Sequence, residues 1–334
     1  MRAADQDTSR AKYAKASAIA SPVIDVHSHF IPDAYWSAIE RRVDAEPDFA
    51  ELARRNNLVP QLDDGPMRTV RMRLSEMDSA GVDISVISLP PPGVAIRAGD
   101  ARLARDVNDG LVEAAMSDAD RLRVMCVLPL PDADSSIAEL RRLRDHPLVR
   151  GVAVTTNVQG WSLDALDLQP VYEEIAQADL PLFVHPALEP LPAVFDDFAL
   201  TASVAAVMSS SLGVLRMIYA GTFDRSPGLT VIMPHLGGVI PYLLQRLMDL
   251  GGQQGARYPL RHYVERRLIF DTCSYHPPAF RCAADTVGIG RLALGTDYPF
   301  RGSLGRAVDD VRSQHLREDD EAAVLGRTVA HWFA

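Results

Sequence analysis

The sequence contains almost no lysine: Lys12 and Lys15 are its two lysines, and every other member of its 34 lysines and arginines is an arginine. Its three cysteines, Cys126, Cys273 and Cys282, form no CxxC pair and no even set. This excludes a disulfide scaffold and fits a reducing compartment such as the cytoplasm. No apolar run reaches the roughly 20 residues of a membrane span. The net charge of −10 leaves no basic excess for nucleic acid or an anionic membrane.

Short apolar or β-branched runs recur along the chain, each bounded by proline, glycine or charged residues. Runs of this length are typical of strands that are buried on both faces of a parallel sheet. We predict eight such strands: Val23–His27, Val82–Leu89, Arg123–Leu128, Gly151–Thr155, Leu182–His185, Leu229–Met233, Leu268–Asp271 and Leu292–Gly295.

The segments between these strands carry helical patterns. In Met67–Ala80, for example, Val70, Leu74 and Met77 recur at helical spacing. Further helices are predicted at Asp134–Arg144, Leu168–Gln177, Thr201–Tyr219, Val239–Leu250, Pro277–Thr286 and over 317–333. The repeated alternation of strand and helix predicts an α/β fold, a single-domain (β/α)8 TIM barrel over residues 22–334.

Two segments fall outside this alternation. Residues 1–21 are small, polar and weakly basic. We predict that they form a flexible N-terminal extension; the alternative is an arm that covers a neighbouring subunit. Residues 30–66 contain Pro47, Pro60 and Pro66. We predict a long irregular insertion there, after the first strand and near the mouth of the barrel.

Polar side chains end four of the predicted strands. His27 and His29 end the first strand two residues apart, so alternation places both on one side. His185 ends the fifth strand, His235 follows the sixth and Asp297 follows the eighth. Because active sites of such barrels form where the strands end, we expect these side chains to converge on a divalent metal. Each of them taken alone is more commonly a satisfied core residue or a helix cap.

Longer stretches around these residues resemble the amidohydrolase superfamily, and within it the amidohydrolase-2 group of metal-dependent decarboxylases. That group includes aminocarboxymuconate-semialdehyde, γ-resorcylate and 6-methylsalicylate decarboxylase-like enzymes. The resemblance covers about residues 23–333 and rests on IDVHSHFIP (24–32), EMDSAGVDISVISLPPPGV (76–94), VLPLPD (127–132), LFVHPA (182–187), MPHLGGVIPYLLQRL (233–247), FDTCSYHPPAF (270–280) and LGTDYPF (294–300).

The resemblance implies a role for each of the converging residues. His27, His29, His185 and Asp297 match the metal ligands of the group, and His235 matches its catalytic histidine beside the metal. Because a group next to the metal can move a proton, we also place Asp297 among the catalytic residues, as the acid that protonates carbon.

Further residues are predicted to bind the substrate. Arg246 matches an arginine that, in the semialdehyde decarboxylase, reaches the neighbouring subunit's site, which implies a homodimer. The alternatives for Arg246 are a solvated helix charge and a structural salt bridge. His276 follows the seventh strand, where the group often has a histidine. Phe300 near the mouth can stack on a planar ring, and the alternative for Phe300 is a role in core packing.

The shortage of lysine bears on the number of metals. In the binuclear members of the superfamily that the chain resembles, a carboxylated lysine at the end of the fourth strand bridges two metals. That strand reads Gly151-Val152-Ala153-Val154-Thr155-Thr156 here, and no lysine follows Lys15. A lysine-bridged pair is therefore excluded, and we expect one divalent ion per chain, Zn²⁺ or Mn²⁺.

The resemblance implies a carboxy-lyase. We predict non-oxidative decarboxylation of a hydroxylated, salicylate-like aromatic acid or a related unsaturated acid, with His235 positioning water or the substrate's oxygen. The nearest alternative is a mononuclear hydrolase or hydratase of a lactone or enol acid, and a weaker one is a barrel kept as a binding module. We expect a small carboxylic acid as the partner, without nucleic acid or membrane.

Overall fold

The structure, a computed structural model, describes residues 21–55, 65–158, 160–187, 193–195, 197–252 and 255–334. In these residues eight parallel strands form one sheet whose spatial order follows the chain. The strands are β1 Ile24–His29, β2 Ile84–Ser88, β3 Leu122–Val127, β4 Val149–Thr155, β5 Leu182–His185, β6 Val231–Met233, β7 Leu268–Asp271 and β8 Leu292–Ala293.

The sheet closes on itself between its first and last strands. The Val26 N–H donates to the Leu294 carbonyl at 3.0 Å, and the Asp297 N–H donates to the His27 carbonyl at 2.8 Å. Ser28 also pairs with Tyr298 in a parallel bridge. With helices around it, this closed sheet is a (β/α)8 barrel, which confirms the predicted fold class.

Helices surround the barrel and connect its strands. They are Asp33–Ala45, Pro47–Arg55, Gly65–Arg68, Val70–Ala80, Ala101–Met116, Ala133–Leu143, Gln169–Gln177, Ala206–Tyr219, Thr222–Arg225, Ile240–Leu250, Leu260–Arg267, Pro277–Val287, Leu304–Arg312, Glu318–Ala322 and Ala330–Phe333. Their apolar faces pack on the outside of the strands and form the larger of two buried cores.

A long insertion follows β1 as predicted, but in its described part it is largely helical and not irregular. Asp33–Ala45 and Pro47–Arg55 follow β1, and Tyr35 and Ile39 of the first helix are fully buried. Pro47 stands at the first position of its helix, where a missing N–H costs nothing, so it starts the helix instead of breaking it. The remaining part, 56–64, and the predicted extension over 1–20 lie outside the described residues.

The helix predicted at Thr201–Tyr219 lies against the barrel. It starts with a π-helical turn, Thr201–Ala205, and continues as Ala206–Tyr219. Its 19 residues have a mean hydropathy of 1.4, enough by length and composition to cross a membrane, and 56% of that stretch is buried. Gly213 packs it against Thr156 after β4, where an added Cβ would lie 3.3 Å from the threonine Cβ. The contact is that of a core helix.

A second apolar cluster fills the inside of the barrel. Each strand contributes one or two residues to it, and Val329 and Phe333 from the end of the chain join them. Between Asp25 and Ser28 the register of β1 against β2 shifts, which marks a β-bulge. Val26 belongs to this interior cluster, and the next side chain, His27, lies 4.9 Å from the interior ring of Phe183. The bulge therefore turns two successive side chains into the barrel.

Candidate metal centre and its cavity

Four buried side chains meet where β1, β5 and β8 end. Ligand atoms of His27, His29, His185 and Asp297 all lie within 4.8 Å of one another. The Nε2 atoms of His27 and His29 are 3.2 Å apart. Asp297 Oδ1 lies 3.3 Å from the first of these nitrogens and 3.2 Å from the second. The structure thus brings together the four residues that the sequence analysis selected as metal ligands.

Hydrogen bonds on the far side of two imidazoles orient their Nε2 atoms inward. His27 Nδ1 lies 2.6 Å from Oδ2 of Asp271, the last residue of β7. His29 Nδ1 lies 3.3 Å from the Ser88 hydroxyl, which donates its own proton to the Ser28 carbonyl and so accepts from the imidazole. With a proton on each Nδ1, both Nε2 lone pairs are left to bind a cation. Such outer partners are typical of metal-ligating histidines.

The third imidazole, that of His185, is also hydrogen-bonded through Nδ1, and its Nε2 lacks a partner in the described part of the chain. His185 Nδ1 donates to the Pro186 carbonyl at 3.2 Å. Its Nε2 is buried and has no hydrogen-bond partner among the described residues. A buried polar atom without a partner is costly. Because it faces the other two nitrogens and a carboxylate, the donor set fits a divalent metal such as Zn²⁺ or Mn²⁺.

The charges of the site also suit a cation. Burial lowers the pKa of His29 to about 4 and that of His185 well below its ordinary value, so both are neutral at pH 7. Burial opposes ionisation of Asp297, but the charge and hydrogen bonds of the facing histidines hold its pKa well below the ordinary range. Against the opposing effect of burial, Asp297 and Asp271 raise the pKa of His27 to about 10, so without a metal His27 holds a proton that a bound ion would displace.

His235 lies beside these four residues in the turn after β6. Its Nε2 is 3.6 Å from Asp297 Oδ2, and its ring centroid is 5.4 Å from that of His27. Its backbone φ is 56°, and the turn continues through Gly237, where a Cβ would fall 2.1 Å from the Phe270 ring. This turn places the imidazole at the wall of the cavity, where it can exchange a proton with a substrate.

A cavity of about 940 Å³ opens onto the site. His185, His235 and Asp297 form part of its wall. The predicted substrate residues His276 and Phe300 also line it. His276 precedes the helix Pro277–Val287 and is exposed, and the Phe300 ring lies 5.4 Å from that of His29. Both are therefore placed where they can contact a bound molecule.

Arg246 does not lie in the wall of this cavity. It is exposed on the helix Ile240–Leu250, whose residues Pro241 and Tyr242 do line the cavity. Its predicted role, contact with the site of a neighbouring subunit, stays a prediction.

A second, smaller niche extends from His185 beneath the ends of β2, β3 and β4. Apart from His185 and Thr155, the residues that line it are aliphatic residues, proline and glycine. The apolar side chains include Leu89, Val94, Leu128, Val154 and Val158. The site thus borders a small apolar niche on one side and, on the other, the large cavity whose lining includes His235, His276 and Arg301.

Sequence analysis missed three polar residues around the site: Asp271, Arg73 and Arg301. Asp271 ends an apolar strand, the same pattern that singled out Asp297. Arg73 is fully buried in the helix Val70–Ala80, donates to the Ser28 hydroxyl and the His29 carbonyl, and so braces the end of β1. In the sequence, the position of Arg73 among the apolar residues of that helix was the signal that could have indicated a buried arginine. Arg301 lines the open cavity directly after Phe300.

The Amidohydrolase family model matches residues 24–330, so the chain belongs to this family. Three curated relatives are 24–26% identical to it. The decarboxylase orsB of Emericella nidulans is 26% identical over 84% of this chain and 87% of its own. The γ-resorcylate decarboxylase of a Rhizobium species is 26% identical over 90% of each chain. A 2-keto-4-carboxy-3-hexenedioate hydratase of a Sphingobium species is 24% identical over 87% of this chain and 88% of its own.

Solved structures share the fold along nearly the whole chain. The 5-carboxyvanillate decarboxylase of Sphingomonas paucimobilis superposes with a TM-score of 0.84 at 24% identity, covering 94% of this chain and 99% of that one. The 5-carboxyvanillate decarboxylase of Novosphingobium aromaticivorans, solved with manganese, has a TM-score of 0.82 at 20% identity and covers 93% and 96%. At these identities the likeness is one of fold.

Proposed function

We propose that this protein is a metal-dependent, non-oxidative decarboxylase of a hydroxylated aromatic carboxylic acid or a related unsaturated acid. The observation that carries the proposal is the inward orientation of three buried imidazoles beside an ionised Asp297, at the wall of an open cavity. The decarboxylases among its relatives support the reaction type.

We propose one divalent ion per chain, held by Nε2 of His27, His29 and His185 and by Asp297. Zn²⁺ and Mn²⁺ both suit this set, and the manganese in a structural relative supports the second. When bound, the ion would supply Lewis-acid chemistry at the substrate's carboxylate.

The chain's own residues would then move the proton. Loss of CO2 leaves an electron pair on the ring carbon, which must gain one proton. His235 Nε2, which lies 3.6 Å from Asp297 Oδ2 at the cavity wall, would take this proton from solvent and pass it to the ionised Asp297, which would deliver it to carbon. Phe300 and the apolar niche beside His185 would offer apolar surface to the ring of the substrate.

The test is CO2 release from a panel of hydroxybenzoates by the metal-loaded enzyme. His235→Asn and Asp297→Asn should each lower turnover by about 10²-fold or more, as expected for loss of a proton-transfer group. Both positions have positive φ, 56° and 55°, which asparagine tolerates, so the variants should fold. His315→Asn is the matched control, because His315 is exposed, outside the cavity lining and also at positive φ, 52°. Wild-type rates in both site variants would contradict these roles.

A hydratase or hydrolase of the same family is the second candidate, and the hydratase among the relatives favours it. In that case His235 would deprotonate water for attack on the substrate instead of supplying a proton to carbon. Substrate consumption without CO2 release would establish it.

We further propose that the enzyme is a homodimer. Exposed Val204, Met208 and Leu212 stand one turn apart on the helical stretch Thr201–Tyr219, and Tyr242, 81% exposed, stands beside the cavity on the helix that carries Arg246. A second copy would cover this apolar surface and bring its Arg246 to the cavity. Sedimentation should give twice the chain mass, and Leu212→Glu should lower it.

The location and domain organisation are proposals of the same kind. All three cysteines are free, which supports a reducing compartment, and we propose the cytoplasm. We propose that residues 22–334 act as one domain, since the last helix, Ala330–Phe333, packs into the interior of the barrel that β1 begins.

A further inference from the structure

One arginine, Arg301, stands among the described residues that line the open cavity. In the described part of the chain it takes part in no ion pair, whereas arginines such as Arg142 and Arg216 are held by carboxylates. Asp297 is the one carboxylate in the same lining, and the facing histidines already share its charge. Arg301 therefore offers an uncompensated positive charge to whatever enters the cavity.

Arg301 belongs to the turn that carries Asp297. Its backbone N–H donates to the Asp297 carbonyl at 3.2 Å. Its guanidinium carbon lies 5.9 Å from the centre of the Tyr275 ring, and the Tyr275 hydroxyl donates to the Thr296 carbonyl. Burial and the charges of Asp297 and Asp271 raise the pKa of the Cys273 thiol well above its ordinary value, and the charge of Arg301 opposes them from the cavity side. That thiol lies within 4.8 Å of ligand atoms of His27 and His235.

The opposite side of the site cannot take a charged substituent. The niche beside His185 is lined by Leu89, Val94, Leu128 and other apolar groups, and it carries no charged side chain among the described residues. Burying an unpaired carboxylate among apolar side chains is strongly unfavourable. A molecule whose reacting carboxylate lies at the metal centre must therefore direct any second anionic group toward the open side, where Arg301 and His276 stand.

We infer that Arg301 selects substrates that carry a second carboxylate, which its guanidinium binds while the first carboxylate lies at the metal centre. The inference rests on the proposed decarboxylase function and names its substrate class: aromatic or unsaturated dicarboxylic acids in preference to monocarboxylic ones. Arginine suits this role because its planar fork matches a carboxylate.

The experiment compares two probes that differ by one carboxylate, salicylate and 5-carboxysalicylate. Their dissociation constants for the metal-loaded protein are measured by calorimetry, in the wild type and in Arg301→Gln. The wild type should bind 5-carboxysalicylate more tightly. Arg301→Gln should weaken that binding by about tenfold or more, as for loss of a charge-assisted hydrogen bond, and should leave salicylate within about twofold.

Arg306→Gln is the matched control. Its guanidinium lies 4.5 Å from the same Tyr275 ring, yet it does not line the cavity. It should leave both dissociation constants unchanged within about twofold. Equal loss for the two probes in Arg301→Gln, equal loss in the Arg306 variant, or no preference of the wild type for the dicarboxylate would each overturn the inference.

Catalysis is scored separately from binding. If 5-carboxysalicylate binds through Arg301 but no acid in the panel releases CO2, the decarboxylase proposal fails while the assignment of Arg301 to a second carboxylate stands. If CO2 is released from monocarboxylic acids, and Arg301→Gln does not change the KM of any dicarboxylate, the decarboxylase proposal stands. The assignment of Arg301 to a second carboxylate then fails.

Discussion

Replacing Asp271 by asparagine tests how strongly the outer partner of His27 controls the metal. The His27 Nδ1–Asp271 Oδ2 distance is 2.6 Å, and both side chains are fully buried. The introduced asparagine could keep its oxygen toward the Leu236 and Cys273 N–H groups, from which Asp271 Oδ1 accepts at 3.3 and 2.9 Å. Its amide NH2 would then face His27 Nδ1 and force the imidazole proton onto Nε2, the atom that must bind the ion.

The expected effect is a loss of metal affinity of about 10–100-fold, or about 1.4–2.7 kcal/mol. Competition with a fluorescent zinc chelator measures it, and thermal denaturation of the metal-free protein checks that the variant folds. Ser88→Ala is the comparison, because it removes a neutral partner of His29 at 3.3 Å. That change should cost about fivefold, since a neutral hydrogen bond contributes about 1 kcal/mol. Wild-type affinity in Asp271→Asn, or a larger loss in Ser88→Ala, would refute the reasoning.

Three further predictions concern protons and packing. Because the pKa of His27 is about 10 without metal, metal binding at pH 7 should release about one proton per chain, measured by calorimetry in buffers of different ionisation enthalpy. Gly237→Ala should destabilise the fold by about 2 kcal/mol or more, because the added Cβ would lie 2.1 Å from the Phe270 ring and the backbone φ of Gly237 is 72°. In Gly305→Ala the nearest atom lies 3.9 Å from the added Cβ, so its free energy of unfolding should stay within about 0.5 kcal/mol of wild type. Denaturant titrations measure both. Hydrogen bonds from Arg141 and the charges of Arg141 and Arg144 lower the pKa of Glu174. Because both arginines are exposed to solvent, Glu174→Gln should cost about 1 kcal/mol or less at pH 7. The difference from wild type should shrink as the pH falls below the ordinary pKa of a glutamate.

The strands could be located from sequence because a strand buried on both faces must be a short, almost wholly apolar run. β5 and β7 have their predicted limits, Leu182–His185 and Leu268–Asp271. β1 runs two residues further than predicted, through His29, because its polar end is held inside the barrel. The resemblance to the amidohydrolases is confirmed by the family model. The helix Ala101–Met116, which Asp100 caps, was not predicted.

The contacts that orient the site could not be read from the sequence. Alternation places His27 and His29 on one side of β1, but the bulge, which turns Val26 and His27 inward together, depends on pairing with β2. The contact between His27 and Asp271 joins residues 244 positions apart. Such outer contacts depend on where the closed barrel places distant strand ends. The roles of the ligands and of Arg246 stay predictions, while their positions are now known.

The geometry also bears on how many metals one chain can hold. A second group of close ligand atoms exists among the described residues, formed by His27, His235 and Cys273, but it shares His27 with the first group. Since Asp271 holds Nδ1 of that imidazole, His27 offers one nitrogen, and separate ions cannot fill both groups at once. At the end of β4, where a bridging lysine would stand, the Thr155 hydroxyl donates to the Asn157 carbonyl at 2.7 Å. These two groups of described residues can therefore hold one ion between them, and we expect elemental analysis of the purified protein to find one per chain.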